Sequence, residues 1–306
     1  MIDEGYTQSE IATFKSCRYK WMLSYLKRIT PKTPVTYFED GGAFHDALED
    51  LGNDIPIAEV GERIKENYKG FIRDLKVPFT QSLLESYDKR LAMVQGMIAG
   101  YFAHYGKDEW HVINCEEEFC VPFADTHIRG KKDKKVLQGN KVKLVEHKTS
   151  STISGSYVTK LPMDQQTLTY SWADWKATGE LVAGIIYDVT KKPSIRQTKK
   201  ETRDEFLVRL RDDYINKPEK YFFRETLHYS KKQLQDFEKN LLRLLVQMKS
   251  AEENPKENVY RNEGACSDFG GCHFRSICMA KSLKGPHMKQ YYKRKKKHME
   301  LGEMPS

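Results

Sequence analysis

Two carboxylates and a lysine occur where two β-like segments of the chain would meet. Asp133 follows Gly130-Lys-Lys in one segment, and Glu146-His-Lys148 ends the next. Because side chains alternate along a strand, Glu146 and Lys148 project from one face, and hairpin pairing would bring Asp133 beside them. Two hard oxygen ligands suit Mg²⁺ or Mn²⁺, and a neighbouring ammonium group stabilises negative charge that builds on phosphorus. These groups suit the hydrolysis of a phosphodiester.

The same residues also have a structural interpretation. Glu-x-Lys on a strand is a common ion pair, and four lysines flank Asp133: Lys131, Lys132, Lys134 and Lys135. Such a basic cluster attracts phosphate backbones without reading sequence, so we expect Lys131 and Lys132 to contact nucleic acid. The alternative is that these lysines neutralise the hairpin carboxylates and have no ligand.

Four cysteines form a second pattern that could hold a metal or cluster. Cys17 stands near the N-terminus, whereas Cys266, Cys272 and Cys278 are spaced six residues apart near the C-terminus. Four thiolates suit Zn²⁺ or an iron-sulfur cluster. The two-residue spacing that is typical of zinc sites is missing, which favours iron and sulfur. The alternative is that they are free, buried cysteines that pack as small hydrophobic residues.

Periodicity predicts the elements that must position these groups. A capping box, Thr7 to Glu10, begins a first helix that carries Cys17, and a second helix begins near Gly41-Gly42 and carries His45. The other predicted helices are Thr80–Tyr105, Met163–Thr178 and two helices within Glu201–Ala251 that are interrupted near Pro218. The predicted strands are Val112–Phe123, His127–Val136, Lys141–Lys148 and Leu181–Thr190, with a turn at Gln138-Gly139-Asn140.

Composition narrows the class of protein. A chain of 306 residues can form one large domain or two smaller ones, and its net charge is +8, from 51 Lys+Arg and 43 Asp+Glu. With no long apolar run and no N-terminal apolar segment, we expect a soluble, cytoplasmic protein with reduced thiols and no membrane contact. The segment Lys289–His298 is basic, and it is either a nucleic-acid contact or a solvated arm. No Gly-x-x-x-x-Gly-Lys-Ser/Thr loop occurs, so we expect no helicase motor.

The motifs taken together resemble those of one family. The set consists of Asp133, Glu146-x-Lys148, Gln166-x-x-x-Tyr170, Gly41-x-x-x-His45 and the four cysteines. It resembles the RecB-like branch of the PD-(D/E)xK nucleases, and more narrowly the members with an iron-sulfur cluster: AddB nuclease domains, CRISPR adaptation nucleases and stand-alone phage-type exonucleases. The resemblance extends from Ser9 to about Ala280.

The resemblance implies an α/β fold. We expect a restriction-endonuclease-like core, in which a small mixed central sheet is flanked by helices, with a helical N-terminal part and a C-terminal iron-sulfur segment. The expected organisation is a single nuclease domain (1–283) with a helical part (1–105), a catalytic sheet core (110–190) and helices plus the cluster segment (200–280), followed by a basic tail (284–306).

The resemblance also implies a role for each site residue. Asp133 and Glu146 would ligate Mg²⁺ or Mn²⁺, together with His45 and the main-chain carbonyl of His147. Lys148 would position or activate the attacking water. Gln166 and Tyr170 would orient Lys148 and contact the nucleic-acid strand, and Cys17, Cys266, Cys272 and Cys278 would hold a [4Fe-4S] cluster. From local context alone, His45 is also explained as a core histidine that pairs with Glu49.

The expected function is metal-dependent exonuclease hydrolysis of DNA, on single strands or ends, in recombination or repair. One alternative is a nuclease subunit of a larger recombination or CRISPR-type complex, with a helicase or recombinase as partner. Another is a non-catalytic nucleic-acid-binding protein with a structural iron-sulfur or zinc site. The preference for an exonuclease rests on the family and on the absence of a sequence-reading module.

Overall fold

A mixed β-sheet lies at the centre of the structure, a computed structural model that describes residues 4–32, 36–74, 80–106, 108–267, 271–280, 283, 285–298 and 301. Its strands are β1 (Tyr6–Thr7), β3 (His111–Phe123), β4 (Thr126–Gln138), β5 (Lys141–Ser150), β6 (Ile185–Lys191) and β7 (Phe222–Leu227). A separate antiparallel pair joins β2 (Ile29–Pro31) to β8 (Tyr292–Arg294).

Helices fill most of the remaining chain. They are α1 (Gln8–Ser16), α2 (Arg18–Trp21), α3 (Thr36–Gly52), α4 (Ile57–Asp74), α5 (Gln81–Tyr105), α6 (Gly155–Val158), α7 (Gln165–Thr178), α8 (Arg203–Asn216), α9 (Pro218–Tyr221), α10 (Lys231–Glu253), α11 (Pro255–Asn258), α12 (Arg275–Ala280) and α13 (Pro286–Tyr291). A π-helical turn (Met22–Leu26) and 3-10 turns (Leu161–Met163 and Glu263–Cys266) complete the order. In the ranges given above, no helix combines the length and apolar character that crossing a bilayer requires.

The order of the sheet creates an opening along β4. The strand order is β1-β4-β5-β6-β7, with β3 paired to β4, and the β1–β4 and β5–β6 pairs are parallel. On the edge of β4 that faces away from β3, β1 pairs at Ile128 and Arg129, whereas β5 pairs only from Lys134 onward. The stretch of β4 between these two pairings includes Asp133. The Asp133 side chain can therefore accept a hydrogen bond from β5 at a position where β4 and β5 do not pair through their main chains.

Two groups of helices cover the two faces of this sheet. Buried residues of α3, α4, α5 and α8 form one apolar cluster, and those of α1, α7 and α10 form another with β3 and β4. On β5, the ring of His147 lies 6.3 Å from that of Tyr101 in α5, whereas Lys148 hydrogen-bonds Gln166 in α7. Helices α5 and α7 thus lie on opposite faces of β5, because successive side chains of a strand point to opposite faces of the sheet.

Close helix packing fixes α5 in place. A Cβ on Gly100 would lie 2.4 Å from the Cβ of Tyr214 in α8, and one on Gly96 would lie 2.5 Å from Leu210. Because no larger residue fits at these positions, the two helices can approach closely along this line. The packing holds Tyr101, the next residue of α5, against the sheet.

The predicted fold class is confirmed: the chain is a mixed α/β protein with a central mixed sheet between helices. Strands β3, β4 and β5, the turn at Gly139 and helices α5 and α7 occur where the pattern predicts them. The prediction for Glu201–Ala251 is wrong in part, because Phe222–Leu227 is an edge strand that pairs antiparallel with β6. Helix α3 begins at Thr36, before the predicted start at Gly41, and β6 begins at Ile185, after the predicted Leu181.

The first helix has only half of the predicted capping box. The Thr7 side chain accepts a hydrogen bond from the Glu10 amide at 3.2 Å, as an N-cap should. The Glu10 carboxylate does not return to the cap. It is fully buried, accepts a hydrogen bond from Trp21 Nε1 at 3.0 Å, and lies 3.2 Å from both Lys297 Nζ and His298 Nε2.

The basic segment near the C-terminus is held against the body of the protein. Tyr292 begins β8 and is buried, and its hydroxyl donates to the main-chain carbonyl of His273 at 2.7 Å. Lys297 and His298 reach the buried Glu10 of α1. The interpretation of Lys289–His298 as a free arm is therefore wrong. Of the expected tail, residues 284, 299–300 and 302–306 lie outside the described residues.

Candidate active site

A line of polar side chains joins β5 to α7. The Glu146 carboxylate contacts Lys148 Nζ, and Lys148 Nζ also donates to Gln166 Oε1 at 2.7 Å. Gln166 Nε2 in turn donates to the Tyr170 hydroxyl at 2.9 Å. Asp164 caps α7 by accepting from the amides of Gln166 and Thr167, which sets the helix so that Gln166 and Tyr170 share one face. Four of the predicted residues thus form one continuous chain of contacts.

Asp133 and His45 reach the same place from β4 and α3. Asp133 Oδ2 accepts a hydrogen bond from the main-chain amide of His147 at 2.8 Å, so its carboxylate sits beside β5 in the opening of the sheet. His45 Nδ1 lies 3.7 Å from the same oxygen. The ring of His45 also stands 6.4 Å from the ring of His147. The structure therefore brings His45, Asp133, Glu146 and Lys148 together.

Glu146 is the most deeply buried carboxylate of this cluster, and one of its oxygens contacts the ammonium group of Lys148. Glu146 is 0 % exposed, and within the described part of the protein its Oε2 has no hydrogen-bond partner. Burial and then the negative charge of Asp133 raise the pKa of Glu146 from 4.5 to about 8. A buried carboxylate is normally paired or bound to a metal. Carboxylate oxygen and imidazole nitrogen are donors that a hard or borderline divalent ion takes, but within the described residues no three His, Cys, Asp or Glu side chains lie close enough together to hold one ion.

Sequence reasoning missed a group of residues on the opposite face of β5 and β6. His147 Nδ1 lies 3.1 Å from Asp188 Oδ2, an oxygen that also accepts from Tyr101 and Arg224. Asp188 is the lone carboxylate in the strand Ile185–Lys191, which is buried at every position before Lys191. That isolated charge in an apolar run was the available signal. Its partners come from α5 and β7 and could not be read from local spacing.

The two lysines predicted to contact nucleic acid differ in their surroundings. Lys132 is only 4 % exposed, and its Nζ lies 2.9 Å from Asp174 Oδ1 and 2.5 Å from Glu117 Oε2. Lys132 is therefore not accessible to a phosphate backbone, and the prediction that it contacts nucleic acid is wrong. Lys131 pairs with Glu116, but its side chain is 38 % exposed.

The four predicted cysteines face one cavity. A pocket of about 880 Å³ is lined by Cys17, between α1 and α2, and by Cys266, Cys272 and Cys278. The Cys272 amide donates to the Cys266 carbonyl at 2.9 Å. Burial raises the pKa of the Cys272 thiol above its usual value, against the lowering effects of a main-chain hydrogen bond from Phe274 and of the nearby Lys20. Among the residues that the structure describes, no three His, Cys, Asp or Glu side chains are close enough to hold a single metal ion.

Comparison with known proteins identifies the family. No curated protein matches the chain. The solved structure of SSO0001 is 18 % identical, covers 44 % of this chain and 67 % of its own, and superposes with a TM-score of 0.23. A family model, the PD-(D/E)XK nuclease superfamily, matches residues 6–279. Since that match spans most of the chain, the protein belongs to the PD-(D/E)XK nuclease superfamily.

Proposed function

We propose that the protein is a Mg²⁺- or Mn²⁺-dependent exonuclease that hydrolyses phosphodiester bonds in single-stranded DNA or at DNA ends. One observation carries the proposal: within the described residues, one oxygen of the buried Glu146 carboxylate has no hydrogen-bond partner, and it lies beside Asp133 and a lysine on the same strand face. Membership of the superfamily supports metal-dependent nuclease chemistry. The preference for ends over internal bonds rests on the branch that the motifs resemble.

Some residues of the site would bind the divalent ion, and others would position or activate the attacking water. His45, Asp133, Glu146 and the main-chain carbonyl of His147 would hold the divalent ion, for which the three side chains would move closer together than they stand in the described structure. When bound, this ion neutralises charge on the phosphate and activates water.

Lys148 is held between Glu146 and Gln166. The Gln166–Tyr170 hydrogen bond orients the amide so that its oxygen faces this lysine. Lys148 would thereby position or activate the attacking water. Gln166 and the partly exposed Lys131 are the proposed contacts to the strand, whereas Tyr170 is buried and would act through its hydrogen bond to Gln166.

We also propose that the cavity of about 880 Å³ holds a [4Fe-4S] cluster on Cys17, Cys266, Cys272 and Cys278. Thiolates are the ligands that such clusters take, and the four side chains come from both ends of the chain to line one pocket. The proposed role is structural. It would fasten the segment that contains α12 to the N-terminal helices.

The proposed setting is recombination or repair in the cytoplasm, where six cysteines would stay reduced. Residues 1–283 would form one nuclease domain, and the family match over residues 6–279 supports this extent. A place in a larger recombination or CRISPR-type complex, with a helicase or recombinase as partner, is the alternative. It predicts weak activity alone and higher activity with the partner.

The test is degradation of end-labelled single- and double-stranded DNA by the purified protein with Mg²⁺, with Mn²⁺ and with chelator. Asp133→Asn, Glu146→Gln and Lys148→Met should each abolish hydrolysis while the protein stays folded. Asp125→Asn is the matched control, because this exposed carboxylate lies in the β3–β4 turn and pairs with Lys249 of α10. Full activity of folded Lys148→Met would overturn the proposal and favour a protein that binds nucleic acid without cleaving it.

A further inference from the structure

A buried hydrogen-bond network lies directly behind the candidate active site. Its members, which we call the Asp188 network, are Tyr101, His147, Asp188 and Arg224. Asp188 Oδ2 lies 3.1 Å from His147 Nδ1, and it accepts from the Tyr101 hydroxyl at 2.5 Å and from Arg224 Nη2 at 2.9 Å. The hydroxyl of Tyr101 also accepts from Arg224 Nη2 at 2.8 Å.

The network joins elements that are remote in the chain. His147 and Asp188 are directly paired residues of the parallel strands β5 and β6, whereas Arg224 comes from β7 and Tyr101 from α5. Arg224 is anchored in turn by Asp108 at 2.7 Å, and its guanidinium lies 3.7 Å from the centre of the Tyr105 ring. The orientation of the His147 ring is thus determined by three other elements of the fold.

His147 connects this network to the proposed metal site through its main chain. Its amide donates to Asp133 Oδ2, its carbonyl is a proposed ligand, and its neighbours in sequence are Glu146 and Lys148. The side chain of His147 therefore contacts the Asp188 network, whereas its peptide groups lie at the proposed metal site. A change in the orientation of the His147 ring would therefore be expected to move the peptide group that hydrogen-bonds Asp133.

Stability alone is a weak explanation for such a network. Replacing a buried ion pair with apolar residues of similar volume is often neutral or stabilising. Within the described residues, Asp188 Oδ1, His147 Nε2 and Arg224 Nε are buried without a hydrogen-bond partner. Each buried polar group without a partner lowers the free energy of unfolding, so a purely structural role does not explain why this arrangement is present.

We propose that Asp188 is a positioning residue for the divalent-metal site, which acts by fixing the His147 ring and hence the main chain between Glu146 and Lys148. The inference rests on the proposed nuclease function. Groups that orient the ligands of a metal typically change metal affinity or activity by about 10- to 100-fold when they are replaced. The expected effect of losing Asp188 is therefore on metal binding before it is on DNA binding.

The test is Asp188→Asn, measured by Mn²⁺ binding without DNA, from the electron paramagnetic resonance signal of free Mn²⁺, and by the Mn²⁺ dependence of DNA degradation. The dissociation constant and the activation midpoint should both rise by about 10-fold or more. Turnover at saturating Mn²⁺ should recover most of the wild-type value, and KM for DNA should be unchanged. A purely structural role would lower stability without this selective shift.

Asp213→Asn is the matched control. Asp213 accepts hydrogen bonds from Tyr221, from Lys220 at 3.0 Å and from Lys217 at 2.5 Å, so it resembles Asp188 in its partners but lies on α8. The Asp213→Asn protein should be less stable than the wild type but should have the same Mn²⁺ affinity. If Asp188→Asn does not fold, Tyr101→Phe removes a single donor to Asp188 and should shift the Mn²⁺ affinity in the same direction by a smaller factor.

The outcomes separate this inference from the function on which it rests. Wild-type protein that neither binds Mn²⁺ nor degrades DNA would refute the proposed function. Wild-type protein that does both, with an unchanged Mn²⁺ affinity in folded Asp188→Asn, would refute the positioning role alone. An unchanged affinity in Tyr101→Phe refutes it equally if Asp188→Asn is insoluble.

Discussion

The raised pKa of Glu146 predicts an unusual dependence of stability on pH. In the folded protein without metal, burial and then Asp133 raise the pKa of Glu146 from 4.5 to about 8. The folded state therefore holds a proton that the unfolded chain releases. The contribution of this group to the free energy of unfolding is complete below pH 4.5, and it is lost as pH rises toward 8. Glu146→Gln removes the titration and should flatten this part of the profile.

The size of the effect follows from linkage. One proton bound only in the folded state changes the free energy of unfolding by about 1.4 kcal/mol for each pH unit. Between pH 5 and pH 7, the wild type should therefore lose roughly 2 to 3 kcal/mol relative to Glu146→Gln. A divalent ion that binds the ionised carboxylate reverses the trend, because it stabilises only the deprotonated folded form. Added Mg²⁺ should then stabilise the wild type increasingly as pH rises.

Urea unfolding from pH 5 to pH 8, with chelator and then with Mg²⁺, measures both effects as differences between proteins. Glu252→Gln is the matched control, because burial also raises the pKa of Glu252, whose other neighbours include Tyr6 and Lys297. It should change the pH profile but leave the response to Mg²⁺ intact. Parallel pH profiles for wild type and Glu146→Gln, or equal stabilisation of both by Mg²⁺, would refute the reasoning.

Three further predictions follow from other contacts. Tyr170→Phe removes the hydroxyl that fixes the Gln166 amide, so kcat should fall by about 3- to 10-fold with little change in KM, in steady-state assays. Lys132→Met removes one of two lysines on Asp174, and it should lower the free energy of unfolding by about 1 to 3 kcal/mol without changing the salt dependence of DNA binding. Cys17→Ser should lose iron and acid-labile sulfide by chemical analysis, whereas stoichiometric zinc in the wild type would contradict the cluster.

The proximity of Asp133, Glu146 and Lys148 could be predicted from local periods, whereas the approach of His45, Gln166 and Tyr170 to them was expected only from the resemblance to the family. Glu146 and Lys148 share a strand face by the period of two, and Gln166 and Tyr170 share a helix face by the period of 3.6. The Gly139 turn fixes the pairing of β4 with β5, which in turn brings Asp133 beside Glu146. Each step uses information within a few residues of the position it predicts.

The errors arose where a partner lies far away in sequence. β7 lies between helical segments, and only its pairing with β6 makes Phe222–Leu227 a strand. Lys132 belongs to a basic run, but its partner Asp174 is 42 residues away in α7. The run of charge was visible in the sequence, whereas the carboxylate that buries and neutralises it was not. Charge patterns therefore predict a basic surface only after burial is known.

The ends of this chain meet through contacts of their own, which limits what a cluster can contribute. The Tyr19 amide donates to the Tyr260 carbonyl at 3.0 Å, Asn262 Nδ2 donates to the Ser16 carbonyl at 2.7 Å, and β2 pairs with β8. Two of these residues, Tyr19 and Asn262, line the cysteine pocket, and none of the three contacts uses a thiol. Loss of the cluster should therefore loosen the segment around α12 while the central sheet, and with it Glu146, stays folded. The opposite result would be a Cys17→Ser protein that contains no iron and shows no cooperative unfolding transition. It would mean that the central sheet cannot fold without the group that the cysteines bind.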